Sequence, residues 1–211
     1  MKKLLKLTFL MLIGFVVQSQ NIELSGLYGY QFATKIDYYG GYLKMEDASS
    51  YSISAGYNTG TNMIFQLNYY RNSSDIRIRD ITFSPNEERI ATANLDWFSI
   101  GAARTTNDGP YYGYIGGGLG LLVTTPTDIN TDLLERNIGD KTNFYFEFKL
   151  GGTAMFNERI GFRAQALLQC PVDYAGVYFG YGTGGPSSGV SLNSTVVLFS
   201  LQGGLVFTIP Q

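Results

Sequence analysis

Apolar and polar positions alternate with a period of two along most of the chain beyond residue 20, which predicts β-strands with one apolar face each. Residues 144–151 are the plainest case, with Phe144, Phe146, Phe148 and Leu150 set against Tyr145, Glu147, Lys149 and Gly151. Residues 159–169 repeat the pattern, Ile160, Phe162, Ala164, Ala166 and Leu168 opposing Gly161, Arg163, Gln165 and Gln169. Residues 195–209 do so again, with Val197, Phe199, Leu201, Leu205, Phe207 and Ile209 on one parity and Ser200, Gln202, Gly204 and Thr208 on the other. Stretches 22–34, 49–57, 62–71, 90–104 and 111–124 bring the expected strands to eight. In 90–104 the parity blurs, because Phe98 and Ile100 follow the polar positions Asn94 and Asp96, and the glycine-rich 111–124 gives no assignment of faces.

The connections alternate in length. Residues 58–61, 105–110 and 156–158 have tight-turn chemistry, whereas 35–48, 72–89, 126–141 and 171–192 read as long loops. Short turns at one end and long loops at the other suit a membrane barrel with periplasmic turns, and eight strands put both chain ends on the turn side. The alternative is a soluble periplasmic ligand-binding barrel, and the polarity of the two faces separates them. The polar faces carry few charges, Glu23, Glu147, Lys149 and Arg163, among glycine, serine and glutamine, which fits a narrow self-paired interior. The apolar faces carry large aromatics suited to lipid and to interfacial girdles. An unpaired strand edge in hydrocarbon would leave backbone groups unsatisfied, so the sheet is expected to close.

The start of the chain reads as a secretory signal over residues 1–19: Lys2, Lys3 and Lys6 precede an apolar run at 7–17, and Val17 and Ser19 suit cleavage before Gln20. That run is too short to cross a bilayer as a helix. The expected organisation is therefore a signal peptide, 1–19, and one barrel domain, 20–211. Removing the three lysines leaves 12 basic against 17 acidic residues, a formal charge of −5, which argues against nucleic acid as a partner. The single cysteine, Cys170, reads as a small buried or lipid-facing residue.

The closing octet, Gln202-Gly203-Gly204-Leu205-Val206-Phe207-Thr208-Ile209, resembles the signal by which bacterial outer-membrane barrels are handed to their assembly machinery, with Gln202, Gly204, Phe207 and Ile209 at its marked positions. The chain as a whole resembles the single-domain, eight-stranded outer-membrane β-barrels similar to the transmembrane part of outer membrane protein A and to OmpX. The resemblance rests on Tyr28-Gly29-Tyr30-Gln31-Phe32, on residues 110–120, on Ile160-Gly161-Phe162-Arg163 and on that octet. It implies an all-β, antiparallel up-and-down transmembrane barrel in a Gram-negative outer membrane, with membrane lipid and the barrel-assembly machinery as partners. Two features depart from the pattern: the chain runs to Gln211, past the aromatic that closes many such barrels, and with no peptidoglycan-binding domain among its residues, wall anchoring is not expected.

Candidate chemistry is sparse. Without histidine, the histidine-based mechanisms of small outer-membrane enzymes cannot be assembled, no close carboxylate pair stands out, and no cofactor is expected. Glu147, Lys149 and Arg163 share the inward parity of neighbouring strands. They are candidates for a proton or ion path, and the favoured reading is an ion-pair network that fills the lumen. Asp128-Ile129-Asn130-Thr131-Asp132 copies half a calcium loop but lacks its glycine and bidentate glutamate, so a solvated acidic loop and no metal site is expected. Gly116, Gly117, Gly118 and Gly120 lack the rest of a phosphate-binding motif and read as room for neighbouring tyrosines. Tyr38, Tyr39 and Tyr42 in the first loop, and Tyr174, Tyr178 and Tyr181 in the fourth, are candidates for contact with an extracellular partner, or else belong to the girdle. The expected function is a non-enzymatic outer-membrane barrel with a structural or surface-interaction role, the alternative being a small-solute pore or a transport-complex component.

Overall fold

The computed structural model describes residues 22–81, 84–106, 109–131, 139–172, 177–182, 185–190 and 196–209; the expected signal segment, 1–19, and the expected cleavage before Gln20 lie outside them. The strands are β1 (Ile22–Gln31), β2 (Thr34–Tyr38), β3 (Gly41–Met45), β4 (Ala48–Asn58), β5 (Met63–Asp80), β6 (Ser84–Thr105), β7 (Tyr111–Thr127), β8 (Lys141–Met155), β9 (Ile160–Val172), β10 (Val177–Gly182), β11 (Gly185–Val190) and β12 (Leu198–Ile209). Eight of them, β1, β4, β5, β6, β7, β8, β9 and β12, form an antiparallel ring that β12 closes on β1 with Ile22 opposite Ile209.

The stagger of the ring follows from its register. One circuit of facing partners runs Ile22, Tyr57, Phe65, Ala102, Gly117, Phe148, Leu168 and Phe199, and returns to β1 at Phe32, ten residues beyond its start. Such shear tilts the strands by roughly 35–45° and leaves an interior that side chains just fill. Along the ring strands successive residues point alternately out and in, and from the turn end through the middle of the barrel the apolar parity is the outward one. Tyr28, Ile53, Leu67, Ile100, Ile115, Phe148 and Leu150 are exposed on the wall, whereas Glu23, Gln31, Ser52, Asn68, Glu147, Arg163, Gln165 and Gln202 are buried inside. This inverted polarity defines a transmembrane barrel and overturns the soluble alternative.

Two ambiguities of the sequence resolve here. In β6, Leu95, Trp97 and Ser99 point inward while Asp96, Phe98 and Ile100 point outward, so the alternation holds from Ala91 to Thr105. Asp96 tolerates the outer parity because Tyr69 Oη donates to its Oδ1 at 2.6 Å and Arg71 lies 3.7 Å away. In β7, Ile115, Leu119 and Leu121 face out, and Tyr114, Gly116, Gly118, Gly120 and Leu122 take the inward parity.

The long loops are less irregular than their composition suggests. Residues 35–48 hold the hairpin β2–β3, and within 72–89 the strands β5 and β6 run on past the ring. Strand β3 pairs with the extension of β5, Tyr42 opposite Arg79 and Lys44 opposite Arg77, so β2-β3-β5-β6 forms a four-stranded sheet beyond the outer mouth. Irregular pairing near Ile76/Arg77 and Ile78/Asp80 marks where that sheet departs from ring geometry. Its strand character comes from Ile76 and Ile78 alternating with Asp75, Arg77 and Arg79, charges that water rather than lipid accommodates. Within residues 171–192, β10 and β11 pair as a separate hairpin.

Candidate functional site: the lumen and the outer hairpins

At the turn end, Arg163 of β9 sits buried with its guanidinium engaged on three sides. Its Nη1 donates to Glu23 Oε1 at 2.5 Å, its Nη2 to Tyr112 Oη at 3.2 Å and its Nε to Thr153 Oγ1 at 2.9 Å. Tyr112 Oη also donates to Glu23 Oε2 at 2.9 Å, and the Arg163 guanidinium lies 4.8 Å from the centre of the Tyr114 ring. Tyr114 passes the network inward by donating to Gln165 Oε1 at 2.7 Å, and Gln165 Nε2 donates to Gln202 Oε1 at 2.8 Å. A charge-assisted, fully partnered arrangement of this kind is what a buried guanidinium requires.

The middle of the lumen holds a second ion pair. Lys149 Nζ lies 3.3 Å from Glu147 Oε1 and donates to Asn68 Oδ1 at 3.2 Å; Asn68 Nδ2 in turn donates to Glu147 Oε1 at 3.1 Å and to Ser99 Oγ at 3.0 Å. Strand β7 makes this possible by presenting glycines. A Cβ at Gly118 would stand 3.1 Å from Glu147 Oε1, and one at Gly120 would stand 2.7 Å from the Tyr145 ring, so β6 and β8 side chains meet across β7. The expectation that these glycines make room for tyrosines holds at Gly120 under Tyr145.

Towards the outer mouth the lumen turns apolar, against the expectation of a polar interior throughout. Tyr70, Leu95, Trp97, Leu122, Tyr145, Leu167 and Leu198 form a buried cluster, with the Trp97 and Tyr145 rings edge-on at 4.8 Å. Trp97 Nε1 donates to Asn72 Oδ1 at 2.9 Å, and Asn72 Nδ2 to Gln31 Oε1 at 2.6 Å, so the indole's polar atom is satisfied within the lumen. Arg163 and Trp97 are 1 % and 0 % exposed, so each is packed in by its neighbours, at two different levels of the lumen.

Of the predicted lumen residues, Glu147 and Lys149 come together and Arg163 does not join them. Antiparallel register sets Arg163 opposite Thr153, six residues from Glu147 along β8, and its partner is Glu23. In the closing octet, Gln202 is buried inside, whereas Phe207 and Ile209 are exposed on the wall. Cys170 is half-buried on the outward parity of β9.

At the outer surface, Tyr38 and Tyr42 lie in strands rather than in a loop, and Tyr39 stands fully exposed at the turn beside Gly40, whose φ of 100° the turn requires. Tyr42 Oη donates to Glu87 Oε2 at 2.6 Å, which holds the Glu87 carboxyl below its ordinary value. Tyr38 Oη donates to Asp80 Oδ2 at 3.1 Å, and burial followed by that bond pushes its phenol up to about 12. Lys35 lies over the Tyr42 ring at 4.2 Å, and Arg77 pairs with Glu46 at 2.8 Å. Tyr178 and Tyr181 fall in β10, and Tyr174 lies outside the described residues. In the calcium-like run, Asn130 is spent on β6, its backbone N donating to Ile90 O at 2.7 Å and its Nδ2 to Arg89 O at 3.3 Å; Asp132 lies outside the described residues.

Sequence reasoning passed over Glu23 as a partner for Arg163, and Tyr112, Tyr114, Asn68 and Trp97 as lumen residues. Their common signal is position on the inward parity, whatever their polarity.

Ring, shear, inverted faces and filled lumen define the eight-stranded outer-membrane β-barrel fold. Solved structures with that fold are similar to this chain: Neisserial surface protein A (14 % identity, TM-score 0.59, 90 % of this chain and 98 % of that one) and the outer membrane protein OprG of Pseudomonas aeruginosa (10 %, 0.65, 92 % and 97 %). A third is Ail, the attachment invasion locus protein of Yersinia pestis, in complex with the heparin analogue sucrose octasulfate (9 %, 0.52, 90 % and 100 %). No protein-family model and no curated protein matches the sequence.

Proposed function

We propose that this protein is a non-enzymatic integral protein of a Gram-negative outer membrane that acts through its outer surface, contacting an extracellular partner with the sheet β2-β3-β5-β6 and the exposed turn at Tyr39. The observation that carries this reading is the blocked lumen: Arg163 with its three partners fills one level and the Trp97 cluster another. A conducting pore needs a continuous wet path, and two levels of packed side chains oppose one. Beyond the mouth, Tyr38, Tyr39 and Tyr42 stand near Lys35, Lys44, Arg77 and Arg79, a mixture of aromatic and charged groups suited to protein or glycan contact. Two of the similar structures are, by name, a surface protein and an attachment protein, which agrees with this reading. Membrane lipid on the wall and the barrel-assembly machinery during insertion complete the partners.

A planar-bilayer recording of the purified protein tests it. The expected result is no steady unitary conductance, and none after the β2–β3 hairpin is shortened; regular unitary steps from the intact protein would overturn the reading in favour of transport.

A further inference from the structure

Seven of the eight pairings in the ring join strands that follow one another along the ring's path through the chain. The eighth, β1 with β12, brings residue 22 to residue 209, so no local turn holds it and its closure carries the largest loss of chain entropy. It is also poor in side chains. Four successive facing pairs, Gly26 with Leu205, Leu27 with Gly204, Tyr28 with Gly203 and Gly29 with Gln202, each contain a glycine. Directly facing side-chain pairs, a usual source of sheet stability, are missing along that run. Substitution cannot supply it at two of these positions: a Cβ at Gly29 would run into the Leu201 carbonyl, and one at Gly204 into the Gly26 carbonyl.

The lumen side chains on either side of this run reach past the weak pair. Gln202 of β12 bypasses β1: its Nε2 donates to Ser50 Oγ at 2.8 Å, and its Oε1 accepts from Ser52 Oγ at 3.0 Å, both on β4. On its other side the same Oε1 accepts from Gln165 of β9, so one buried amide ties together β9, β12 and β4. Glu23 of β1 bypasses β12 in the opposite sense, through its ion pair with Arg163 of β9. One clasp lies at each end of the glycine run. Parting β1 from β12 would break both, and each consists of buried polar groups that would be left unpaired.

We infer that Gln202 to Ser50 and Ser52, together with Glu23 to Arg163, form an internal lock on the β1–β12 seam, and that Gln202, the polar position of the assembly-like closing octet, holds the finished barrel shut. The two roles of Gln202 separate experimentally because its partners lie on β4, outside the octet. The test compares wild type, Ser50→Ala/Ser52→Ala and Gln202→Ala, each refolded from urea into detergent micelles, by hydrogen–deuterium exchange resolved by segment.

In the serine double variant, amides of β1 and β12 are expected to exchange about fivefold to tenfold faster while those of the β6–β7 pair keep their wild-type rates, with yield of inserted barrel in cells unchanged. Gln202→Ala is expected to show the same local rise. Wild-type rates at the seam in the serine variant, or a rise shared equally by β6–β7, would overturn the lock. Should the double variant fail to refold, Ser52→Ala alone is read by the same local criterion.

Discussion

The turn end and the outer end of the lumen fill the same cylinder with opposite chemistry. Below, a guanidinium, a carboxylate, two phenols and two amides satisfy one another in a connected network; above, an indole, two phenol rings and leucines pack as they would in a soluble core. Both fill the lumen with buried side chains, and they fail differently. A buried ion pair contributes little net stability over an apolar replacement, yet losing one partner strands the other charge. An apolar plug loses free energy in proportion to the atoms removed and the cavity left. The comparison therefore predicts brittleness at the turn end and graded loss at the mouth.

The largest expected effect tests that brittleness. Arg163→Ala takes the charged partner from the buried Glu23 carboxylate and leaves it, among the described residues, the Tyr112 hydroxyl; it is expected to lower stability by about 3–5 kcal/mol in urea unfolding from detergent micelles. Replacing both partners, Glu23→Leu with Arg163→Met, should recover most of that loss. If the double variant is as unstable as the single one, the ion pair is a net source of stability and the contrast between the two ends dissolves.

Leu167→Ala probes the other end. Leu167 is fully buried in the plug, and its truncation is expected to lower stability by about 2–3 kcal/mol, with no second substitution among the charged residues restoring it. A loss comparable to that of Arg163→Ala would show that the two ends are alike in energetics despite their chemistry. A loss below about 1 kcal/mol would mean that the plug is loosely packed.

How much of this was legible beforehand depends on which physical signal each residue carries. Alternation gave the inward and outward faces at β8, β9 and β12, and with them the inward parity of Glu147, Lys149, Arg163 and Gln202, but it blurred in β6 and assigned no faces in β7. It could not pair Arg163 with Glu23, because 140 residues separate them and only the stagger of the closed ring brings them level. Trp97 and Leu95 were ambiguous for a different reason. Near the mouth the inward face changes from polar to apolar while Asp96 takes an outward position at the rim, so polarity ceases to report direction. The outer sheet was hidden by its charges: Ile76 and Ile78 alternate as a strand should, but Arg77 and Arg79 occupy the parity that lipid would forbid, and that pattern reads as loop until the strand is seen to stand in water.

The smallest effect calibrates the lumen contacts against one of similar type outside the membrane. Tyr38 donates to Asp80 in the outer sheet much as Tyr112 donates to Glu23 in the lumen, but Tyr38 is 41 % exposed. Its phenol is raised from the ordinary 10.0 to about 12 by burial and by the Asp80 carboxylate. The neutral form is therefore the one the fold favours: the contact is complete below the ordinary phenol value and is lost as pH rises through about 12. Solvent screening keeps its contribution to stability small. Tyr38→Phe should remove one late step from the tyrosinate absorbance titration while leaving the urea midpoint at pH 7 unchanged. If the late step persists, another phenol carries it; if the midpoint falls as it does for Arg163→Ala, the outer sheet shares the brittleness of the turn end, and seclusion from water is not what separates the two regions.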